Sequence, residues 1–152
     1  MSLKERLITL TIGILVGTVC TYAAVSALTT RAVIVFSNYE NSQQERMAVK
    51  AFRELKPEAD IFVQNALVDF IESRRKVGWI DEVESYRIVG FAKARIGVSL
   101  LKLSRKADSE VYITDAISNL QRAGIHVSNE KDLISAIENS GKKENSENPE
   151  EK

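Results

Sequence analysis

Leu7–Thr30, LITLTIGILVGTVCTYAAVSALTT, is the stretch that decides how the rest of the chain is read. Its 24 residues include no Asp, Glu, Lys, Arg or His, and the Cys20 thiol and Tyr22 phenol are its only ionisable groups. As an α-helix rising about 1.5 Å per residue it would reach about 36 Å, enough for a hydrocarbon core about 30 Å thick. The interspersed threonines can return their hydroxyls to the helix's own carbonyls, which makes them tolerable in lipid. The segment therefore predicts a single transmembrane helix.

Two other readings compete. Lys4 and Arg6 followed by Val25-Ser26-Ala27 resemble the basic start and small-residue site of a cleaved signal peptide. Against this, a signal core runs about 7–15 residues, and Ala32-Val33-Ile34-Val35-Phe36 continues the apolar character past Arg31. A buried helix of a soluble domain is the other reading, but no other segment is apolar enough to surround it. Lys4 and Arg6 before the span nearly balance Arg31, Arg46 and Lys50 after it, and a short cytoplasmic N-terminus is the working expectation. Gly13 and Gly17, four apart with Thr21 beyond, form a small-residue face on which two such helices could pack. Cys20 reads as a small packing residue.

Outward from the span, the 152 residues carry 21 basic and 21 acidic side chains, a formal net charge of zero. That length allows one ordinary domain, and the balance excludes a generally basic nucleic-acid binder. With one Cys and one His, neither an internal disulfide nor a structural zinc site is expected.

The expected organisation is a short polar N-terminus (1–6), the span (7–30), a joint (31–41), an all-α helical domain (42–140) and a disordered tail (141–152). Ser42 with Glu45 reads as a capping box, starting a helix that continues through Met47, Val49, Ala51, Phe52 and Leu55 to a break at Lys56-Pro57. A second helix begins at Pro57, with Ile61, Phe62, Ala66, Leu67, Phe70 and Ile71 as its apolar residues and Gly78 as its stop. Asp81 with Glu84 caps a third helix over roughly 82–106 whose core stripe is Val89, Ala92, Ile96, Leu100 and Leu103. A fourth runs from about Ser109 to Ala123 and ends at Gly124; Ser128 caps a short fifth lined by Leu133, Ile134 and Ile137. These stripes predict a bundle of four or five helices. Residues 141–152 contain no Val, Leu, Ile or aromatic residue, hence the disordered tail.

Little in the sequence is arranged for chemistry. His126 reads as a partly exposed turn residue with no nucleophile motif beside it. Gly90 and Gly97 lie within a helical pattern and follow no strand, so they do not form a phosphate loop. Asp69/Glu72 and Asp81/Glu84 lack further converging ligands. The expectation is a non-enzyme with no cofactor, no metal, no nucleic-acid partner and no small-molecule substrate. The third helix does segregate charge: Arg87, Lys93, Arg95, Lys102, Arg105 and Lys106 fall between Ser85 and Ala107, where no acid occurs. This pattern fits either a basic face lying on an anionic leaflet or a core helix with a solvated back. Gly90, Ala94 and Gly97 could admit a neighbouring helix, inside a bundle or in an assembly.

Residues 109–125, with Tyr112 and Gly124-Ile125, are followed by residues 128–138, with Leu133-Ile134 and Glu138. This region and the overall layout resemble LLH-type phage holins. The resemblance covers about 30 residues of helix–glycine–turn–helix, a common arrangement, and the segment with Pro57 and Gly78-Trp79 is longer than the family pattern. It implies a phage origin, oligomerisation in a bacterial inner membrane and a role in lysis, with no catalytic residue. The functional expectation is a membrane-anchored assembly or interaction protein, holin-like in its most specific form; the alternative is a secreted or surface-anchored helical binding module. The bilayer, further copies of the chain and an unidentified protein are the expected partners.

Overall fold

The computed structural model describes the backbone of residues 3–142 and the side chains of residues 17–140, Thr30 excepted. All described regular structure is helical: α1 (Leu3–Glu54), α2 (Pro57–Lys76), α3 (Glu82–Lys102), α4 (Lys106–Arg122) and α5 (Glu130–Lys142). The chain divides into two compact units, Met1–Ser37 and Asn38–Lys152, and α1 contributes to both. The expected tail lies outside the described residues except that α5 extends to Lys142, and the surroundings of Gly13 lie outside them too.

Residues 31–41, expected as a joint, are helical, and the boundary between the two units falls among them. No Gly or Pro interrupts the sequence between Arg31 and Glu54. The Ser42 hydroxyl donates to the Asn38 carbonyl at 2.9 Å, one turn back, and so does not cap a new helix. The first real break is at Lys56-Pro57, where Pro57 takes the first turn of α2 because its missing N–H would have no intrahelical partner there anyway.

Three helix ends share one solution. After α2 the N–H groups of Gly78 and Trp79 bond the carbonyls of Arg75 and Arg74, and after α4 those of Gly124 and Ile125 bond Gln121 and Leu120. In the same pattern after α3, Ser104 and Arg105 bond Leu101 and Leu100. Each end needs a left-handed residue; Gly78 and Gly124 supply it, but after α3 the position is held by Ser104 at φ 60°. This turn ends α3 at Lys102, so Arg105 and Lys106 are not part of it. At the N-termini, the Asp81 carboxylate accepts from the N–H groups of Val83 (2.9 Å) and Glu84 (3.1 Å). The cap of α5 is Asn129 instead of Ser128, its Oδ1 accepting from the Asp132 N–H at 2.9 Å.

In the second unit α3 is central, packed against α2, α4 and α5. Ala48, Leu67, Val68, Ile71, Ile80, Ile88, Val89 and Ala92 form one part of the core. Phe52, Ala94, Val98, Ile113, Ala116, Leu120, Leu133 and Ile137 form the other. The small residues of α3 have a definite use here. A Cβ at Gly90 would stand 2.8 Å from Leu120 Cγ, and one at Gly97 would stand 2.6 Å from Ile113 Cδ1, so only glycine lets α4 approach this closely. Ala94 is fully buried, and the Ser109 hydroxyl donates to the Gly97 carbonyl at 2.8 Å, fixing the contact. The small-residue face is satisfied inside the bundle.

Helix α2 buries Leu67 and Ile71 of its expected apolar set but not all of it. Asp60, Gln64, Leu67, Val68 and Ile71 are buried, while Phe62 is 76% exposed and Ala66 is exposed. Met47, Leu55 and Val111 are likewise exposed.

Candidate functional site

Two regions stand apart from ordinary packing. The first is the described part of the N-terminal unit. Every described side chain from Gly17 to Phe36 is exposed, among them Val19, Tyr22, Val25, Leu28, Val33, Ile34, Val35 and Phe36. Such a helix, apolar on all sides, would leave each Val, Leu, Ile or Phe about 1.5–3 kcal/mol short of its burial free energy in water. Two of its hydroxyls bond within the helix: Thr21 Oγ1 donates to the Gly17 carbonyl and Thr29 Oγ1 to that of Val25, each at 2.8 Å. α1 is a helix long and apolar enough to cross a membrane. A Cβ placed on Gly17 would meet nothing within 4 Å, and the Cys20 thiol is exposed.

The second region is polar and lies within the Asn38–Lys152 unit. Asp60, 1% exposed, accepts from Ser99 Oγ at 2.6 Å and from Gln64 Nε2 at 2.9 Å, and the same Gln64 nitrogen donates to the Ala48 carbonyl at 2.7 Å. These bonds tie α1, α2 and α3 together through one carboxyl and one amide, and they explain why α2 turns Asp60 and Gln64 inward. Arg87 holds Glu45 Oε2 at 2.8 Å and Glu84 Oε2 at 2.7 Å. The two carboxylates keep its guanidinium protonated, Glu84 contributing most and burial opposing it. Arg74 pairs with Glu40. The α1 residues Asn38, Asn41, Ser42 and Glu45 and the residues Asp81, Glu84, Arg87 and Ile88 of the α3 N-terminal region line a cleft of about 330 Å³.

The six basic residues expected to form one face are not brought together as free cations. Arg87 lies between two carboxylates, and Lys93 donates to Asp115 at 3.1 Å. Arg95 is only 7% exposed, with Nε and Nη1 lacking partners, and burial pushes its guanidinium below the usual range. Lys102 sits 4.6 Å from the Phe52 ring centroid, and Arg105 pairs with Asp108 at 2.7 Å. Lys106 is exposed but belongs to the first turn of α4. The reason is the central position of α3: with neighbours on several sides, it has no wide back to expose. His126 is exposed, as expected of a turn residue. Among the described residues no three His, Cys, Asp or Glu side chains are grouped to hold a metal ion.

Asn41, Asp60, Gln64 and Ser99 are the polar positions that the sequence pattern of apolar stripes passes over. Their signal is present as spacing: stepping back from Ile71, Val68 and Leu67 by helical intervals lands on Gln64 and Asp60, and stepping back from Phe52 and Ala48 lands on Asn41. Comparisons with protein-family models, with curated proteins and with solved structures find no match.

Proposed function

We propose that this protein is a membrane-anchored helical interaction module, held in the bilayer by α1 and presenting its helical unit at the membrane surface. The uninterrupted exposure of apolar side chains from Gly17 to Phe36 carries this reading. Lipid is the environment in which that surface costs nothing, and the back-bonded threonines suit it. Arg31, near the end of the apolar run, can extend its guanidinium to the headgroup region. The test is alkaline carbonate extraction of membranes containing the full-length chain. Retention of the uncleaved chain is expected, and Val19→Asp, at the middle of Leu7–Thr30, should release it, since an acid at a helix centre costs about 2.5–3.5 kcal/mol of insertion free energy. Release of the unaltered chain, or a mature N-terminus at Leu28, would overturn the anchor and favour the secreted binding module.

The narrower form of the proposal is holin-like lysis, with copies associating through the Gly13–Gly17 face in a bacterial inner membrane. It rests on the resemblance of residues 109–138. Induced expression in a bacterium while membrane potential is recorded tests it. Collapse of the potential is the expected result; an unchanged potential with the chain verified in the membrane would remove lysis and leave the anchored module.

A further inference from the structure

The turn between α2 and α3 leaves apolar surface outside. Val77, Trp79 and Val83 are 61%, 54% and 54% exposed, three large apolar side chains within residues 77–83. Ile80, between them, is buried and belongs to the core beneath. The backbone closes the turn as well, the N–H groups of Gly78 and Trp79 bonding the carbonyls of Arg75 and Arg74. The exposed side chains therefore stand on a fixed platform, which keeps the ordering cost of a contact low.

Two guanidiniums mark the same end of the helical unit. Arg75, at the end of α2, and Arg122, at the end of α4, stand 4.8 Å and 5.3 Å from the centroid of one ring, Tyr86 of α3. Neither forms an ion pair among the described residues, and Lys76 beside Arg75 is exposed.

Position decides what this surface meets. Arg74 pairs with Glu40, and its guanidinium also lies 5.6 Å from the Trp79 ring centroid, so one side chain links the turn to α1. Asn38 and Ser42 share a cleft with Asp81 and Glu84. Asn38 is two residues past Phe36, where the apolar run ends, which is no more than about 7 Å of chain. With that run in lipid, the turn is within reach of the headgroup region, where Trp rings and snorkelling Arg and Lys side chains are favoured.

We propose that the α2–α3 turn docks on the phospholipid bilayer that holds α1, with Val77, Trp79 and Val83 entering the interfacial layer and Arg75, Lys76 and Arg122 contacting lipid phosphates. The docking rests on the membrane-anchor reading. Asp81 and Glu82 are exposed at the same end, so the excess of positive charge is small. The apolar side chains carry the contact, and the arginines add charge-assisted bonds to phosphate. So small a surface would not hold a soluble protein on a membrane. Tethered by α1 it need not, because the tether makes docking intramolecular and a weak contact is then enough.

Trp79 is the only tryptophan of the chain, so its emission reports the turn directly. The full-length chain is reconstituted in phosphatidylcholine nanodiscs with and without phosphatidylcholine spin-labelled near the top of its acyl chain. Strong quenching of Trp79 by the labelled lipid and weak quenching by aqueous acrylamide are expected. Val77→Gln with Val83→Gln, at exposed positions outside the core, should lose most of the lipid quenching and gain acrylamide access. Arg75→Gln with Arg122→Gln should lose a smaller part. An unaltered chain whose Trp79 is not quenched by lipid overturns the proposal, a result that no variant's folding can affect. Shielding from acrylamide without lipid quenching overturns it too, since another protein chain would then cover the turn. Undiminished lipid quenching in the double valine variant also overturns it, because Trp79 would be near lipid through the tether alone. The two readings fail separately: carbonate retention with Trp79 unquenched removes the docked turn and keeps the anchor, whereas release in carbonate with Trp79 quenched removes the anchor and keeps the docking.

Discussion

Gly17 in α1 and Gly90 and Gly97 in α3 look alike in sequence, each part of a small-residue spacing on a helix, yet their surroundings are opposite. Around Gly17 nothing approaches within 4 Å of where a side chain would begin, whereas Leu120 and Ile113 fill the space at Gly90 and Gly97. Spacing of small residues shows that a helix can be approached closely. What approaches depends on whether the chain itself supplies the partner. In α3 it does, through α4. Along Gly17–Phe36 of α1 the described apolar side chains are exposed, and lipid or another copy is what would cover them.

The sharpest way to break this comparison is Gly90→Val. The branched side chain would overlap Leu120, including its backbone N–H, and should cost about 2–3 kcal/mol by overpacking. Gly17→Val, at a position with open space, should leave the stability of the helical unit unchanged. Urea unfolding of the full-length chain in micelles, followed at Trp79, measures both. Equal losses would show that the α1 face is also packed within the chain.

A smaller effect of opposite sign is expected at Arg95. Replacing it by Met exchanges a buried cation with unpartnered nitrogens for an apolar chain of similar length, a change that should stabilise by about 1–2 kcal/mol. Burial lowers the folded-state pKa of Arg95 below its ordinary value. The destabilisation from the charged form is therefore complete below the folded value and is relieved as pH rises from there toward the unfolded one. The advantage of Arg95→Met in thermal unfolding should accordingly narrow in strongly alkaline buffer. A loss of stability on substitution would mean that Arg95 has a partner worth more than its desolvation cost.

Ser104→Gly should give the smallest change, a gain of about 0.5–1 kcal/mol. The left-handed backbone there strains a residue with a Cβ, and the added freedom of the unfolded chain takes back part of the relief. The corresponding change at Gly124, Gly124→Ala, should destabilise, since it introduces the same strain at φ 75°. Melting temperatures of the two variants should therefore move in opposite directions.

Much of the architecture was readable from local signals. Pro57, Gly78, the Asp81 cap and Gly124 each mark a helix boundary where the structure has one, because these residues act on the backbone beside them. Ser42 misled because the same hydroxyl can cap a helix start or bond one turn back, and without a Gly or Pro nearby the continuous helix is favoured. The inward faces were harder to read. Taking Phe62 and Met47 as core assumes that large apolar residues go inside, but on α2 the buried face that holds Leu67 and Ile71 also takes in Asp60 and Gln64, whose bonds to Ser99 and the Ala48 carbonyl satisfy them there, and Phe62 is left outside. The basic stretch of α3 reads as a surface because a helix considered alone always has a back.

By itself the sequence determined the helical class, the boundaries set by glycine, proline and caps, and one apolar run long enough for a bilayer. All of these follow from backbone sterics and composition, which act over a few residues. Only the tertiary structure decided that Gly90 and Gly97 serve α4, that Arg95 is buried and that Asp60 is satisfied. It also brought Arg74, Trp79 and Glu40 together. Those outcomes depend on which groups meet across helices distant in sequence, where packing and desolvation govern and local pattern has no say.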